Sequence, residues 1–432
     1  MINPSNFHSL IVRNSKGQLL KLLYDGSTGY LINPNTFTIL NKPKDTFAPL
    51  YHEKPKIISI VLGVKCNLHC SYCIQTDLRN RVNLDFSPKN ISKFLSKLNS
   101  LDLSFIEKII FWGGEPLVYW KTLTILVEKL KCLCPNLKEF YLSTNGTLLT
   151  QDKLNFLNNN NFSIQLSDDI FNEDRGTDLT SIRKLVSEFK KQHPNLNIVI
   201  HTSFTKNSPD VLKTTKLIEN FFGNNIKFRG IPISPPLDFK SWNCDLGEFD
   251  IKSALLLEES VYQSYIQSNN IEYIKTKLMH FNLGDIFNGY ACRFAPQKEI
   301  CIDVHGNIYA CRGSFDSSNI IGNIDNYSFP INTNKFIKYK GRAFCKNCPF
   351  LSLCKGICSQ LPDKKIKPYC AGHYAFQRGN LRAALKILFD LDLLKIVNVD
   401  FDKNFQHCFS YETLKDLWEK QKSKVIFINQ SL

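Results

Sequence analysis

The sequence predicts an α/β protein: a partial (β/α)6 TIM-like barrel followed by a cysteine-rich domain with a β-hairpin and C-terminal helices. Two observations predict it. From about residue 55 to 236, short apolar runs alternate six times with segments of helical period, as in a parallel sheet with crossover helices. From Cys292 to Cys370 the chain is turn-rich, carries eight of the fifteen cysteines and has few apolar residues for a core, so metal is expected to hold it. A length of 432 residues and a hydrophobic content of 43% leave room for two or three domains around a full core.

Residues 9–32 alternate apolar runs with the turn signals Ser15-Lys16-Gly17 and Gly26-Ser27-Thr28-Gly29, which predicts a small β-meander. Asn33-Pro34 suits the start of a short helix, with proline at its first position. Strands are expected at 57–62, 108–112, 138–143, 162–167, 197–204 and 226–231, and helices near 87–99, 119–133, 151–158, 178–192 and 209–222. Pro232, Pro235 and Pro236 punctuate the end of this unit. Residues 248–281 read as two helices, and the tail from about 374 to 420 reads as helices again. The expected division is an N-terminal β-meander or cap at 1–50, a partial barrel at 51–236, a helical linker at 237–290, a cysteine-rich domain at 291–375 and C-terminal helices at 376–432.

Lys and Arg exceed Asp and Glu by 54 − 39 = 15, which favours an acidic partner such as nucleic acid, an anionic cofactor or an acidic peptide. The lysines are spread along the whole chain, so a merely Lys-rich composition accounts for the excess equally well. No apolar run reaches the roughly 18–20 residues of a membrane span. MINPSNFHSL has neither the basic nor the apolar part of a secretory signal, so a cytoplasmic protein without membrane contact is expected. Fifteen cysteines in that compartment point to metal rather than disulfides. Cys132, Cys134, Cys244, Cys301 and Cys408 fall outside the spaced groups and default to small, buried apolar residues.

Cys66, Cys70 and Cys73 lie in GVKCNLHCSYC, directly after the first strand, spaced C-x3-C-x2-C. Three thiolates on one tight loop can hold three irons of a [4Fe–4S] cube and leave the fourth open. Zinc would want a fourth ligand from paired knuckles, and His69 lies too close between two cysteines to co-ligate easily. In parallel β/α folds, reactive groups gather at the carboxyl ends of strands. There the second strand ends in Trp112-Gly113-Gly114-Glu115-Pro116, the third in Ser143-Thr144-Asn145-Gly146 and the fourth in Ser167-Asp168-Asp169, with Arg175 following. The glycines allow close backbone approach and Glu115 suits an ammonium group. Ser143 and Asn145 suit a ribose, and Arg175 suits a carboxylate.

Cys66, Cys70, Tyr72 and Cys73, with GGEP and STNG, resemble the signature of the radical S-adenosylmethionine (radical SAM) enzymes over about residues 55–235. The resemblance implies that the three cysteines bind the cluster and that S-adenosylmethionine chelates the open iron. It implies that Tyr72 flanks the adenine, that Gly113, Gly114 and Glu115 meet the methionine amine, and that Ser167 and Arg175 match the family's Ser and Arg after the fourth strand. The segment between Ser167 and Arg175 is shorter than the family's. The chemistry implied is reductive cleavage of S-adenosylmethionine to a 5′-deoxyadenosyl radical that abstracts hydrogen from an unactivated C–H. A flavodoxin- or ferredoxin-type electron donor is the implied partner.

Cys292 and Cys311 form a C-x13-G-x4-C element around a hairpin turn at His305-Gly306-Asn307; Cys345, Cys348, Cys354 and Cys358 follow as C-x2-C-x5-C-x3-C, and Cys370 closes the group. Seven cysteines do not divide into four-cysteine zinc sites. The pattern resembles the SPASM extension of radical SAM enzymes over about residues 290–375. The resemblance implies two auxiliary [4Fe–4S] clusters, one on Cys292, Cys311 and Cys358, the other on Cys345, Cys348, Cys354 and Cys370. Cys301 either supplies a fourth ligand to the first or leaves an iron open.

SPASM enzymes mostly modify peptides and proteins. The sulfatase-maturating branch normally has Asp after the hairpin cysteine, whereas Arg312-Gly313 follows Cys311. Ile321-Gly322-Asn323-Ile324 and Lys355-Gly356-Ile357-Cys358 look closer to maturases of ribosomally made (RiPP) peptides, which install crosslinks or related changes. A peptide or protein substrate, with or without a leader sequence, is therefore expected. The 9–32 meander reads as a plain cap over the barrel, or alternatively as a reduced leader-binding element; with the cap, a separate protein or the barrel's basic surface reads the leader. No Asp or Glu is marked by position as the catalytic base. The competing readings are formylglycine formation in a sulfatase, and a non-catalytic zinc or iron–sulfur protein acting on nucleic acid.

Overall fold

The computed structural model describes residues 7–26, 29, 31–34, 40–41, 54–75, 78–79, 84–169, 175–233, 245–270, 274, 292, 294, 298–313, 315, 317–326, 341–346 and 348–397. The meander forms as β1 (Phe7–Asn14), β2 (Leu19–Asp25) and β3 (Leu31–Ile32). The parallel unit follows as β4 (Ile57–Val61), β5 (Lys108–Trp112), β6 (Glu139–Thr144), β7 (Phe162–Ser167), β8 (Asn197–Phe204) and β9 (Lys227–Pro232). Between them run α1 (Ile91–Leu98), α2 (Trp120–Leu133), α3 (Gln151–Asn159), α4 (Thr180–Gln192) and α5 (Val211–Phe222); α6 (Ile251–Ile266) comes after. Thr150 and Asp210 cap α3 and α5 by accepting the Lys153 and Lys213 N–H groups at 3.3 and 2.9 Å.

The six parallel strands lie in sequential order, as right-handed β/α crossovers demand. Their outward residues, among them Ile58, Phe111, Phe140, Phe162 and Ile200, pack under the helices in one core. Phe111, Phe140 and Phe162 stack across neighbouring strands, with centroids 5.1–6.1 Å apart. The alternate residues carry a polar network. Glu139 bonds Lys108 at 2.6 Å and Ser163 at 2.5 Å, and Asn197 donates to Ser163 at 2.8 Å. Higher up, Tyr141 donates to Gln165 at 2.7 Å, and Gln165 donates to Ser143 at 3.1 Å. This is a partial TIM-like barrel, apolar outside and hydrophilic within.

The hairpin of the cysteine-rich region is β10 (Glu299–Ile302) and β11 (Asn307–Tyr309), followed by β12 (Ile320–Asn323). It extends the barrel sheet: β10 pairs in parallel with β4, Glu299 opposite Ile57 and Cys301 opposite Ser59. Gly306 makes the turn at φ +86°, and a Cβ there would meet the Ile324 side chain at 2.8 Å.

One expectation changes. After α7 (Cys370–Phe389), residues read as helical form β13 (Leu391–Val397), which pairs antiparallel with β1 and completes a sheet in the order β13-β1-β2-β3. The meander packs on α7 and the loop after Cys348: Leu10, Tyr24 and Leu31 share a core with Phe350, Leu381 and Leu385. The helix expected after Pro34, the second half of the 248–281 region and the tail from residue 398 lie outside the described residues. Among those described, no helix is long and apolar enough to cross a membrane.

Candidate functional site

The first cysteine loop leaves the carboxyl end of β4 and is braced by two other loops. Gly114 donates to the Gly63 carbonyl at 2.9 Å, and Glu115 donates to the Lys65 carbonyl at 2.8 Å. The crossing is so close that a Cβ on Gly113 would stand 2.2 Å from the Gly63 oxygen, and one on Gly114 2.2 Å from the Lys65 oxygen. The two glycines thus serve a backbone-to-backbone approach within the protein. Glu115 is buried and accepts from Leu117 N at 3.0 Å, Thr144 Oγ1 at 2.7 Å and Asn145 N at 2.7 Å. Burial pushes its carboxyl up, while these donors pull it back. A carboxylate has about four acceptor positions, and these donors fill three of them.

Asn145 reaches the loop itself, its Nδ2 lying 3.7 Å from Cys66 Sγ and 2.9 Å from Asn67 Oδ1. Leu68 N–H points at Cys66 Sγ from 3.4 Å, and Arg79 Nη2 at Cys73 Sγ from 3.6 Å. Cys66, Cys70 and Cys73 are all half-buried. Ser143 and Ser167 end β6 and β7 on the polar side of the sheet, Ser167 opposite His201.

Arg175 and Tyr72 meet on a residue the sequence does not single out. Asp169 Oδ2 accepts from Arg175 Nη1 at 3.0 Å and from the Tyr72 hydroxyl, while Oδ1 accepts from Ser203 N at 2.5 Å. Arg175 also donates to the Asn145 carbonyl at 3.3 Å. The guanidinium expected to clamp a carboxylate is thus buried against one of the protein's own. Tyr72 and Ile357 both pack against a small cluster of Ile233, Leu246 and Tyr369, which joins this loop to the second cysteine group. Asp168 forms a separate two-pronged pair with Arg183, at 2.7 and 2.9 Å.

The second group gathers as two sets. Cys345, Cys348, Cys354 and Cys370 line one cavity with Phe344, Ile366, His373 and Tyr374. Cys311 lies beside Cys292 and Cys358; burial first, then these thiols, push it far up, and burial pushes Cys292 up to about 11. Backbone donors face these sulfurs: Phe294 N to Cys292 at 3.5 Å, Gly313 N to Cys311 at 3.2 Å, Gly356 and Ile357 to Cys354, Gln360 and Leu361 to Cys358. Lys355, Gly356 and Ile357 all have φ between +55° and +71° to achieve this. A β-branched residue there is strained by about 1–3 kcal/mol, tolerable where surrounding structure enforces it. Sulfurs met by N–H donors suit thiolates on a cluster. Among the described residues, no three His, Cys, Asp or Glu side chains converge as on a single ion. A cube takes one thiolate per iron, so its sulfurs need not converge.

Cys301 is fully buried in an apolar cluster with Val61, Tyr309 and Phe315, beside Cys311. Cys134 is buried as expected of a core thiol, but Cys132 is exposed on α2; Cys244 and Cys408 lie outside the described residues. Arg312, where an Asp base would stand, stacks on Trp112 at 4.6 Å and pairs with buried Glu299 at 3.2 Å.

Residues 60–213 match the Radical SAM superfamily model. This segment is a radical SAM domain. The chain is 23% identical over 355 residues to the radical SAM cyclopropyl synthase TigE of Paramaledivibacter caminithermalis, covering 72% of this chain and 70% of that one. It is 29% identical over 364 residues to the cysteine-type anaerobic sulfatase-maturating enzyme of Clostridium perfringens, covering 72% of this chain and 94% of that one. A solved structure of native anSMEcpe with bound AdoMet and Kp18Cys peptide shares the fold, with a TM-score of 0.60 and 21% identity over 77% of this chain and 99% of that one. A radical SAM domain is one that works with a [4Fe–4S] cluster and S-adenosylmethionine, and the non-catalytic reading falls.

Proposed function

We propose that this enzyme modifies a side chain of a ribosomally made peptide or of a protein, by crosslinking or oxidation. Cys66, Cys70 and Cys73 hold the cluster that binds S-adenosylmethionine. When bound, the pair supplies a 5′-deoxyadenosyl radical that takes hydrogen from an unactivated C–H of the substrate. Glu115 offers its remaining acceptor position to the methionine amine, and Gly113 and Gly114 keep the cysteine loop close beneath it. Tyr72, positioned through Asp169, flanks the adenine. Ser143, Asn145 and Ser167 line the ribose side. Arg175 either turns from Asp169 to the carboxylate or steadies the site from beneath. Cys292, Cys311 and Cys358 hold the first auxiliary cluster, and Cys345, Cys348, Cys354 and Cys370 the second. The polar inner face of the barrel orients the peptide between the two ends.

The observation that carries this reading is the gathering of Cys345, Cys348, Cys354 and Cys370 around one cavity, in a chain whose three-cysteine loop follows the carboxyl end of β4. A relative that matures a sulfatase, and a fold neighbour bound to a peptide, support a polypeptide substrate. Sulfatase-type oxidation is the second reading, favoured by the 94% coverage of that relative and opposed by Arg312 at the base position.

The test is anaerobic reconstitution. About 12 irons per chain and dithionite-dependent 5′-deoxyadenosine are expected; Cys66→Ala, Cys70→Ala, Cys73→Ala should form none, and retained cleavage would refute the assignment. Co-expression with a small reading frame encoded beside it should give a mass change in that peptide. A mass change confined to a sulfatase Cys or Ser would favour the second reading.

A further inference from the structure

Arg342 is the most conspicuous buried charge among the second cysteine group. It is 2% exposed, and its carbonyl accepts the Cys345 N–H at 3.1 Å. Its Nη1 donates to Asp363 Oδ1 at 2.6 Å, and its Nη2 donates to the carbonyls of Leu361 at 2.8 Å and of Cys358. It therefore touches the backbone of one set, at Cys358, and of the other, at Cys345. Its charge favours the thiolates of Cys345, Cys354 and Cys358. Its Nε–H is buried and has no partner among the described residues. Asp363 is 39% exposed, so water screens the one carboxylate bonded to this guanidinium among the described residues. A buried cation with a donor to spare is costly by itself, and sense returns when negative charge occupies both sets of thiols.

We propose that Arg342 is a positioning residue shared by both auxiliary sites, and that its fixed positive charge holds both auxiliary clusters at a higher reduction potential than they would otherwise have. The proposal rests on the auxiliary-site reading above. Reduction adds negative charge to a cluster, and a nearby buried cation stabilises the reduced form more than the oxidised one. Asp363 opposes it, so removing either partner should move the potentials in opposite directions.

The test uses the full chain carrying Cys66→Ala, Cys70→Ala and Cys73→Ala, so that only the auxiliary clusters, about 8 irons, remain. Midpoints are read by redox titration followed with electron paramagnetic resonance. Arg342→Met should leave about tenfold less cluster reduced at a fixed potential, equal to about 59 mV for one electron. Asp363→Asn should raise the midpoints, and Arg342→Lys should recover part of the loss. Unmoved midpoints at full iron content overturn the proposal, as do shifts of the same sign in Arg342→Met and Asp363→Asn, which signal general loosening. Should Arg342→Met lose iron, Asp363→Asn decides alone: raised midpoints support the proposal and unmoved ones overturn it. A parent that holds no auxiliary iron sinks the site reading and the proposal together.

Discussion

At the scale of single residues, a cysteine's surroundings say more than its neighbours in sequence. Cys292, Cys311, Cys354 and Cys358 each have a backbone N–H two residues on aimed at their sulfur. At Cys301 the equivalent N–H, of Asp303, bonds the Asn307 carbonyl at 3.1 Å, and the thiol sits on a strand among apolar side chains. Cys301→Ala is therefore expected to keep the full iron content and cost about 1 kcal/mol of stability; loss of iron on assay would make Cys301 a ligand. Asp169 is the converse case, an acid that sequence position cannot mark. Arg175 is buried, and Asp169 is the carboxylate bonded to it. Asp169→Ala should lower the unfolding free energy by about 3 kcal/mol, because breaking a buried pair strands the other charge. It should also weaken S-adenosylmethionine binding, read by titration, since Tyr72 loses its anchor; unchanged binding and melting would remove Asp169 from the site.

At the scale of elements, the site is a crossing of loops. Gly63 and Gly113 have φ of +143° and +146°, and their backbones touch. Gly113→Ala should push the β5 loop off the cysteine loop, with loss of about 4 irons from the first cluster while far-ultraviolet circular dichroism stays native. Iron kept at wild-type level would show that the loops can part without harm. The six parallel strands were legible because each is an apolar run bounded by Gly, Pro or polar turns. The crossing was legible only in its glycines, not in what they approach: a ligand was the obvious guest, and the guest is Gly63. Strand β13 was illegible for a different reason. LDLLKIV has apolar residues at spacings that fit a helix turn as well as a strand, and only pairing with β1, far away in sequence, decides between them. Likewise nothing local announces that β10 will join β4.

At the scale of the whole molecule, the second cysteine cavity is where the β13-β1-β2-β3 sheet is fastened. Gly26, at the end of β2, lies so close to the cysteine loop that a Cβ there would stand 2.7 Å from the Cys348 carbonyl. Its own carbonyl accepts the Ser352 N–H at 2.7 Å. Phe350 and Tyr374 line the cavity and meet edge to face with ring centroids 4.8 Å apart, and both also pack against the β13-β1-β2-β3 sheet. A cluster bound by four thiols there contributes folding energy to everything resting on that loop. Cys345→Ala with Cys348→Ala should therefore lower iron by about 4 per chain and raise amide hydrogen exchange in β1, β2 and the first turns of α7. Strands β5 to β7, packed under the barrel helices, should keep their protection. Equal loss of protection across both sheets would mean a single cooperative unit. Unchanged protection in β1 and β2 would mean that the meander stands on α7 alone, with the metal serving only electron transfer.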